Sequence, residues 1–218
     1  MPKLPASVER ETDFVLYGHP ASGNAWKAAL IFALTDTPFD FEYVDLFNGG
    51  TRTPEYTAIN RFQEIPVLRH GDKTIVQSSV ILTYMSGLTG KFGPRDAEER
   101  WRIAEWLAWE NQRVLAGPAL VRYLRKFQKP PADPAVLDFL VPRAERAIGQ
   151  FAEAVVDRPF LLGDRPTIAD IACAGYLFLL EDGGFDAKRW PSIIDWRARM
   201  SALKGWKSAE ELLPRPQA

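Results

Sequence analysis

Cysteine is almost missing from this chain: Cys173 is the single one in 218 residues. An intramolecular disulfide is therefore impossible. Its setting, Ile171-Ala172-Cys173-Ala174-Gly175, reads as a buried and chemically inert core thiol. Histidine is nearly as scarce, with His19 and His70 only. Two isolated imidazoles and one thiol do not make a metal centre, so no metal is expected. Neither sign of charge dominates: 27 Lys and Arg stand against 28 Asp and Glu, a net charge of −1, with no basic or acidic block. Nucleic acid and anionic membrane surfaces are therefore not expected partners. The longest apolar stretch, Ile171 to Leu180, is too short to span a bilayer. The opening MPKLPASVERETD lacks the apolar core of a secretory signal, which leads to the expectation of a cytoplasmic protein with a loose arm over residues 1–13. Internal repeats and low-complexity tracts are missing as well.

What is present is ordinary globular material, 46 % apolar and 25 % charged. The first third reads as mixed α/β. Phe14 to Tyr17 is a strand ending at Gly18, Asn24 to Thr35 a helix, and Asp40 to Leu46 a second strand broken by Asn48-Gly49-Gly50. A short helix follows near Pro54 to Asn60. Pro66 to His70, the turn Gly71-Asp72 and Lys73 to Val76 form a hairpin signature, and Ser79 to Leu88 is helical. A crossover helix between the first two strands makes them parallel, so the hairpin completes a small four-stranded mixed sheet. Phe92 to Asp96 breaks the chain. Beyond it only helices are expected: Ala97 to about Lys126, Ala135 to Val156, Thr167 to Leu180 and Pro191 to Met200. Thr167-Ile168-Ala169-Asp170 has the capping-box form and is a folding element.

Ile65-Pro66 carries more information. A proline there donates no ladder hydrogen bond, so it belongs at a strand start or edge. That placement leaves the backbone of Ile65 open to a peptide-like ligand. Upstream stands the turn Ser22-Gly23-Asn24, and downstream the polar Gln77-Ser78-Ser79 opens a helix. Together the three elements suggest a protein that handles a thiol peptide.

From Phe14 to about Leu213 the chain resembles the cytosolic glutathione transferases. The resemblance rests on Ile65-Pro66-Val67-Leu68, on Gln77-Ser78 with Ile81 and Tyr84, and on Thr167-Ile168-Ala169-Asp170, in that order. Ser22-Gly23-Asn24-Ala25-Trp26-Lys27 is similar to the theta and related bacterial groups, in which a serine or threonine at the first turn replaces a tyrosine. Arg61 and Glu64 depart from the common pattern, and no cysteine stands where the beta and omega classes use one. The resemblance implies a thioredoxin-like N-terminal domain over residues 14–92 and an all-α C-terminal helical domain over 97–218. It also implies glutathione as co-substrate and a homodimer.

The chemistry follows from the thiol. Glutathione attacks as its thiolate, and lowering a thiol pKa by about two units takes roughly 2.7 kcal/mol of preferential thiolate binding. The helix after Ser22 offers unpaired amides with partial positive charge, and the Ser22 hydroxyl offers a donor. Ser22 and Asn24 are thus the candidate catalytic residues, with helix capping as the plainer role for both. Tyr17 is the rival hydroxyl but sits within a strand. Ile65 and Pro66, with Gln77 and Ser78, are expected to hold the peptide, the latter two taking the γ-glutamyl carboxylate at a helix start. Thr51, Arg52 and Gln63 are the candidates for the glycyl end, Arg52 being the nearby cation. The resemblance places a second substrate, a small hydrophobic electrophile or a disulfide, against the long helix, with Trp106, Trp109, Gln112 and Arg113 as candidate liners. His19, on the loop before Ser22, is a further neighbour. Three functions compete: conjugation to an electrophile, reduction of a disulfide or peroxide without an enzyme cysteine, and a non-catalytic scaffold on the same fold.

Overall fold

In the computed structural model residues 12–216 are described, so the expected arm over 1–13 lies almost wholly outside the described residues. The chain forms two compact units. One takes the described residues through Thr89 together with those from Lys204 onward; the other is Gly90–Leu203.

The first unit is built on a four-stranded sheet. In chain order its elements are β1 (Phe14–Gly18), α1 (Gly23–Thr35), β2 (Asp40–Tyr43), α2 (Pro54–Ile59), β3 (Val67–His70), β4 (Lys73–Val76) and α3 (Ser78–Thr89). The strand order is β2-β1-β3-β4. β1 runs parallel to β2, with Leu16 opposite Phe41, and antiparallel to β3, with Leu16 opposite Leu68. A crossover helix forces the first pairing and a two-residue turn the β3–β4 pairing. β2 stops at Tyr43, short of the expected Leu46. Val44 turns inward, giving its N–H to the Gly18 carbonyl at 2.8 Å. Asp45 then closes a turn by accepting the Asn48 side chain, which ends the extended run.

α1 is apolar nearly all round because it is covered on several sides. Ala28 through Phe32 are fully buried, and the helix packs on β1, on α3 and on the short α9 (Ala209–Leu212) near the C-terminus. Gly18 lets the start of α1 come close: a Cβ there would lie 2.9 Å from the Ala25 Cβ. The returning C-terminal segment is locked onto α1 by Trp206, edge-on to Trp26 at 5.4 Å, and by the Trp26 indole N–H donating to the Lys207 carbonyl at 3.1 Å. Gly205 is required at that crossing, with φ +90° and a would-be Cβ 2.4 Å from the Ala33 carbonyl oxygen.

The second unit is helical: α4 (Ala97–Trp109), α5 (Leu120–Lys126), α6 (Pro134–Ala154), α7 (Ile168–Leu177) and α8 (Pro191–Ser201). The single long helix expected over 97–126 is interrupted. A π-helical stretch, Glu110–Ala119, separates α4 from α5, and Gly117 leaves helical geometry at φ −113°, ψ −106°. Pro118 removes one N–H from the ladder. Gly117 also meets α6 closely, a Cβ there lying 3.2 Å from the Ala144 Cα. The break is therefore placed where two helices touch.

α7 is the centre of this unit, with Ile171, Ala172, Cys173 and Ala174 fully buried. It ends at Leu177, and a 3₁₀ turn over Glu181–Gly183 takes up part of the chain beyond it. The capping box forms at its start. Asp170 accepts from the Thr167 N–H at 2.9 Å and the Leu161 N–H at 2.9 Å, and from the Trp196 indole at 3.1 Å. Burial pushes the Asp170 carboxyl up from its ordinary range, against the pull of these donors. The Thr167 hydroxyl donates as well, at 3.3 Å, so removing the carboxylate leaves four buried donors without this acceptor. Asp170→Ala should therefore lower the unfolding free energy by about 3 kcal/mol in a urea titration; a loss below about 0.5 kcal/mol would contradict the central place given to this residue.

Candidate functional site

Ser22 is the N-cap of α1, with extended backbone (φ −92°, ψ 114°). Its Oγ accepts the Ala25 N–H at 3.2 Å, and its own N–H donates to the His19 carbonyl at 2.9 Å. A hydroxyl that accepts once still has its proton to give. The N–H groups of Gly23 and Asn24 have no protein partner among the described residues. The first turn of α1 carries no acidic side chain, so its positive end is unopposed.

One hydrogen bond ties the start of α3 to this turn, and a second ties α3 to the loop before Pro66. The Ser78 hydroxyl, at the first residue of α3, donates to Asn24 Oδ1 at 3.5 Å. Gln77, at φ +70°, gives its side-chain amide to Glu64 Oε2 at 2.9 Å. Glu64 leads directly into Ile65 and the cis Ile65–Pro66 peptide. The side chain of Ile65 packs on the cluster of Val15, Tyr17, Val44, Tyr56 and Val67. Its backbone N–H and C=O have no protein partner among the described residues. The loop is held from beneath: the Tyr56 hydroxyl and Asn60 Nδ2 each donate to the Glu64 carbonyl at 2.8 Å. Burial, with a smaller contribution from Tyr17, raises the Tyr56 phenol, so it stays protonated as a donor.

Ser22, Asn24, Ile65, Pro66, Gln77 and Ser78 thus form one connected surface on the first unit. Tyr17 belongs to the interior cluster instead. Thr51 is buried and Arg52 exposed in the 3₁₀ turn Gly50–Arg52, and no hydrogen bond among the described residues ties either to that surface. Gln63, at φ +57°, directs its amide to the Thr57 hydroxyl at 3.4 Å.

Trp106, Trp109, Gln112 and Arg113 belong to the helical unit. The two tryptophans meet edge-on at 5.0 Å, and the Trp109 indole donates to Gln150 at 3.4 Å. Gln112 and Arg113 are exposed on the π-helical stretch. Trp106 lines an open concavity of ≈ 480 Å³ with Trp101, Arg102, Glu105, Arg158 and Leu162 among its neighbours, and the other three do not.

Two participants were not singled out from sequence. Glu64 reads in the sequence only as a departure from a pattern, although its adjacency to Ile65 was a usable signal. The C-terminal segment has no periodicity that would send it back to α1. Its Arg215 acts on His19, which is 2 % exposed. His19 Nδ1 accepts the Ala21 N–H at 3.0 Å, so the neutral ring carries its proton on Nε2. Burial first, then Arg215, hold its pKa below the ordinary 6.5, with Asp45 pulling the other way.

Among the described residues no helix is long and apolar enough to cross a membrane, and no group of acids, histidines and cysteine is arranged to hold a metal.

The chain matches the family model described as glutathione S-transferase, N-terminal domain, over residues 12–87, and that of the C-terminal domain over 134–206. Human glutathione S-transferase theta-2B is 28 % identical over 195 residues, covering 85 % of this chain and 80 % of that protein. Among solved structures, a glutathione S-transferase from Xanthobacter autotrophicus Py2 is 30 % identical with a TM-score of 0.84, covering 90 % of this chain and 96 % of that one. Another from Pseudomonas fluorescens Pf-5 is 26 % identical with a TM-score of 0.87, over 91 % and 99 %.

A histidine with a depressed folded pKa contributes stability above the unfolded value that is lost as pH falls through the folded one. The melting temperature should therefore drop as pH is lowered below 6.5. His19→Asn should flatten that part of the profile; an unaltered slope in the variant would contradict the assignment.

Proposed function

The chain belongs to the glutathione S-transferase family, and from that premise we propose that its first unit binds glutathione and stabilises the thiolate for attack on an electrophile. The observation that carries the reading is the start of α1. There the Ser22 hydroxyl keeps a proton to donate, beside two unpaired backbone amides and no acidic side chain. Each of these favours the thiolate over the thiol, and together they are of the size needed to shift a pKa by about two units, roughly 2.7 kcal/mol. Asn24 contributes its amide, and its side chain is oriented by Ser78.

The remaining anchors follow the connected surface. The open N–H and C=O of Ile65, fixed by Pro66, exchange hydrogen bonds with the cysteinyl residue, as an added strand does at a sheet edge. Ser78, Gln77 and the start of α3, whose own first turn carries no acidic side chain, receive the γ-glutamyl carboxylate. Thr51, Arg52 and Gln63 are assigned to the glycyl end, where Arg52 supplies the cation. Trp106, Trp109, Gln112 and Arg113 are assigned to the second substrate, a small hydrophobic electrophile.

Cys173 is fully buried in α7, so it is not a reactive group in this scheme. If the second substrate is a disulfide, both thiols come from glutathione: two glutathione molecules are oxidised to their disulfide as the substrate is reduced to two thiols. Family membership also supports a cytoplasmic detoxification enzyme that works as a homodimer. Light scattering of the purified chain should then give about twice 24.6 kDa, and a monomer would contradict it.

The test of the reading itself is retention on immobilised glutathione, followed by turnover with an aryl halide and with a small disulfide. Ser22→Ala should cut turnover with the better substrate by roughly tenfold or more while the melting temperature stays within a few degrees. Unchanged turnover removes Ser22 from its role, and an unmodified protein with neither retention nor turnover is a scaffold.

A further inference from the structure

Glu64 is an exposed acid doing something that stability does not require. A hydrogen bond from a half-buried amide to an exposed carboxylate contributes little to folding. Yet Gln77 is turned to meet it at 2.9 Å from a left-handed backbone position, and the carbonyl of Glu64 is pinned by two buried donors, Tyr56 and Asn60. Oε2 is occupied by Gln77, while Oε1 has no hydrogen bond among the described residues. The residue is thus held in place with one carboxylate oxygen unused, next to the open backbone of Ile65 and across from the start of α3.

A negative charge there disfavours an anionic ligand unless the ligand also brings a cation. The γ-glutamyl end of glutathione does so: its carboxylate and its ammonium sit on the same carbon. With the carboxylate at Ser78 and the α3 amides, the ammonium needs an acceptor beside Gln77, and the side chain of Gln77 is neutral. On the reading given under Proposed function, we propose that Glu64 is that acceptor. Its Oε1 takes the γ-glutamyl ammonium, and Gln77 is a positioning residue that holds the carboxylate toward the site. The pair recognises a zwitterion, so Glu64 sets specificity for peptides that carry a free α-amino group at that end.

Calorimetric titration of the full chain with glutathione and with N-glutaryl-cysteinylglycine, which lacks only the amino group, tests this. The unmodified protein should bind glutathione about tenfold more tightly than the analogue. Glu64→Gln keeps the shape and an oxygen for Gln77 but removes the charge. It should bind glutathione about tenfold more weakly and discriminate between the two ligands by less than about twofold. Discrimination that survives in the variant, or unaltered glutathione affinity, overturns the role of Glu64 while leaving glutathione binding intact. Absence of binding by the unmodified protein overturns the underlying reading as well.

Discussion

An α-helix cannot satisfy its own first amides, and much of the first unit is arranged around that deficit at α1. Ser22 takes one of them with its hydroxyl oxygen, and the helix accepts the cap without using the hydroxyl proton. Gly18 brings β1 against the first turn, α3 and the C-terminal segment pack on the helix, and the first turn itself carries no acidic side chain. The positive end of α1 is therefore both rigidly placed and left unneutralised. Capping and thiolate stabilisation are compatible because they use different parts of the same hydroxyl.

The second constraint is the loop that reaches Ile65. Tyr56 and Asn60 hold the Glu64 carbonyl from beneath, so the backbone of the next residue is presented rather than paired. Gln77 closes the same loop from the α3 side. These contacts join α2, the loop at Glu64 and the start of α3, and each donor is buried or half-buried.

Most of the architecture was legible in the sequence because its signals are local. The β-rich run Phe14–Tyr17, the Gly71-Asp72 turn and the Thr167–Asp170 box each follow from short-range chemistry, and the parallel β1–β2 pairing follows from the crossover. The misses have other causes. The helix over 97–126 breaks at Gly117-Pro118, a local breaker that the apolar periodicity on either side obscured, at the point where α6 comes close. β2 ends early because Asp45 binds Asn48 rather than extending the ladder. Glu64 and Arg215 act through partners remote in the chain, on Gln77 and on His19, so their residue types alone gave no role. The places of Ser22 at the cap of α1 and of Ser78 at the start of α3 were legible, since such residues stand beside the helix they open.

The central claim is that the start of α1, through Ser22, favours the thiolate of bound glutathione. The most direct measurement is the pKa of that thiol in the complex, read from ultraviolet thiolate absorbance across pH. The account predicts a value about two units below the free thiol's ~8.5 in the unmodified protein, moving back toward it in Ser22→Ala. A bound thiol that titrates at about 8.5 in both proteins would contradict it.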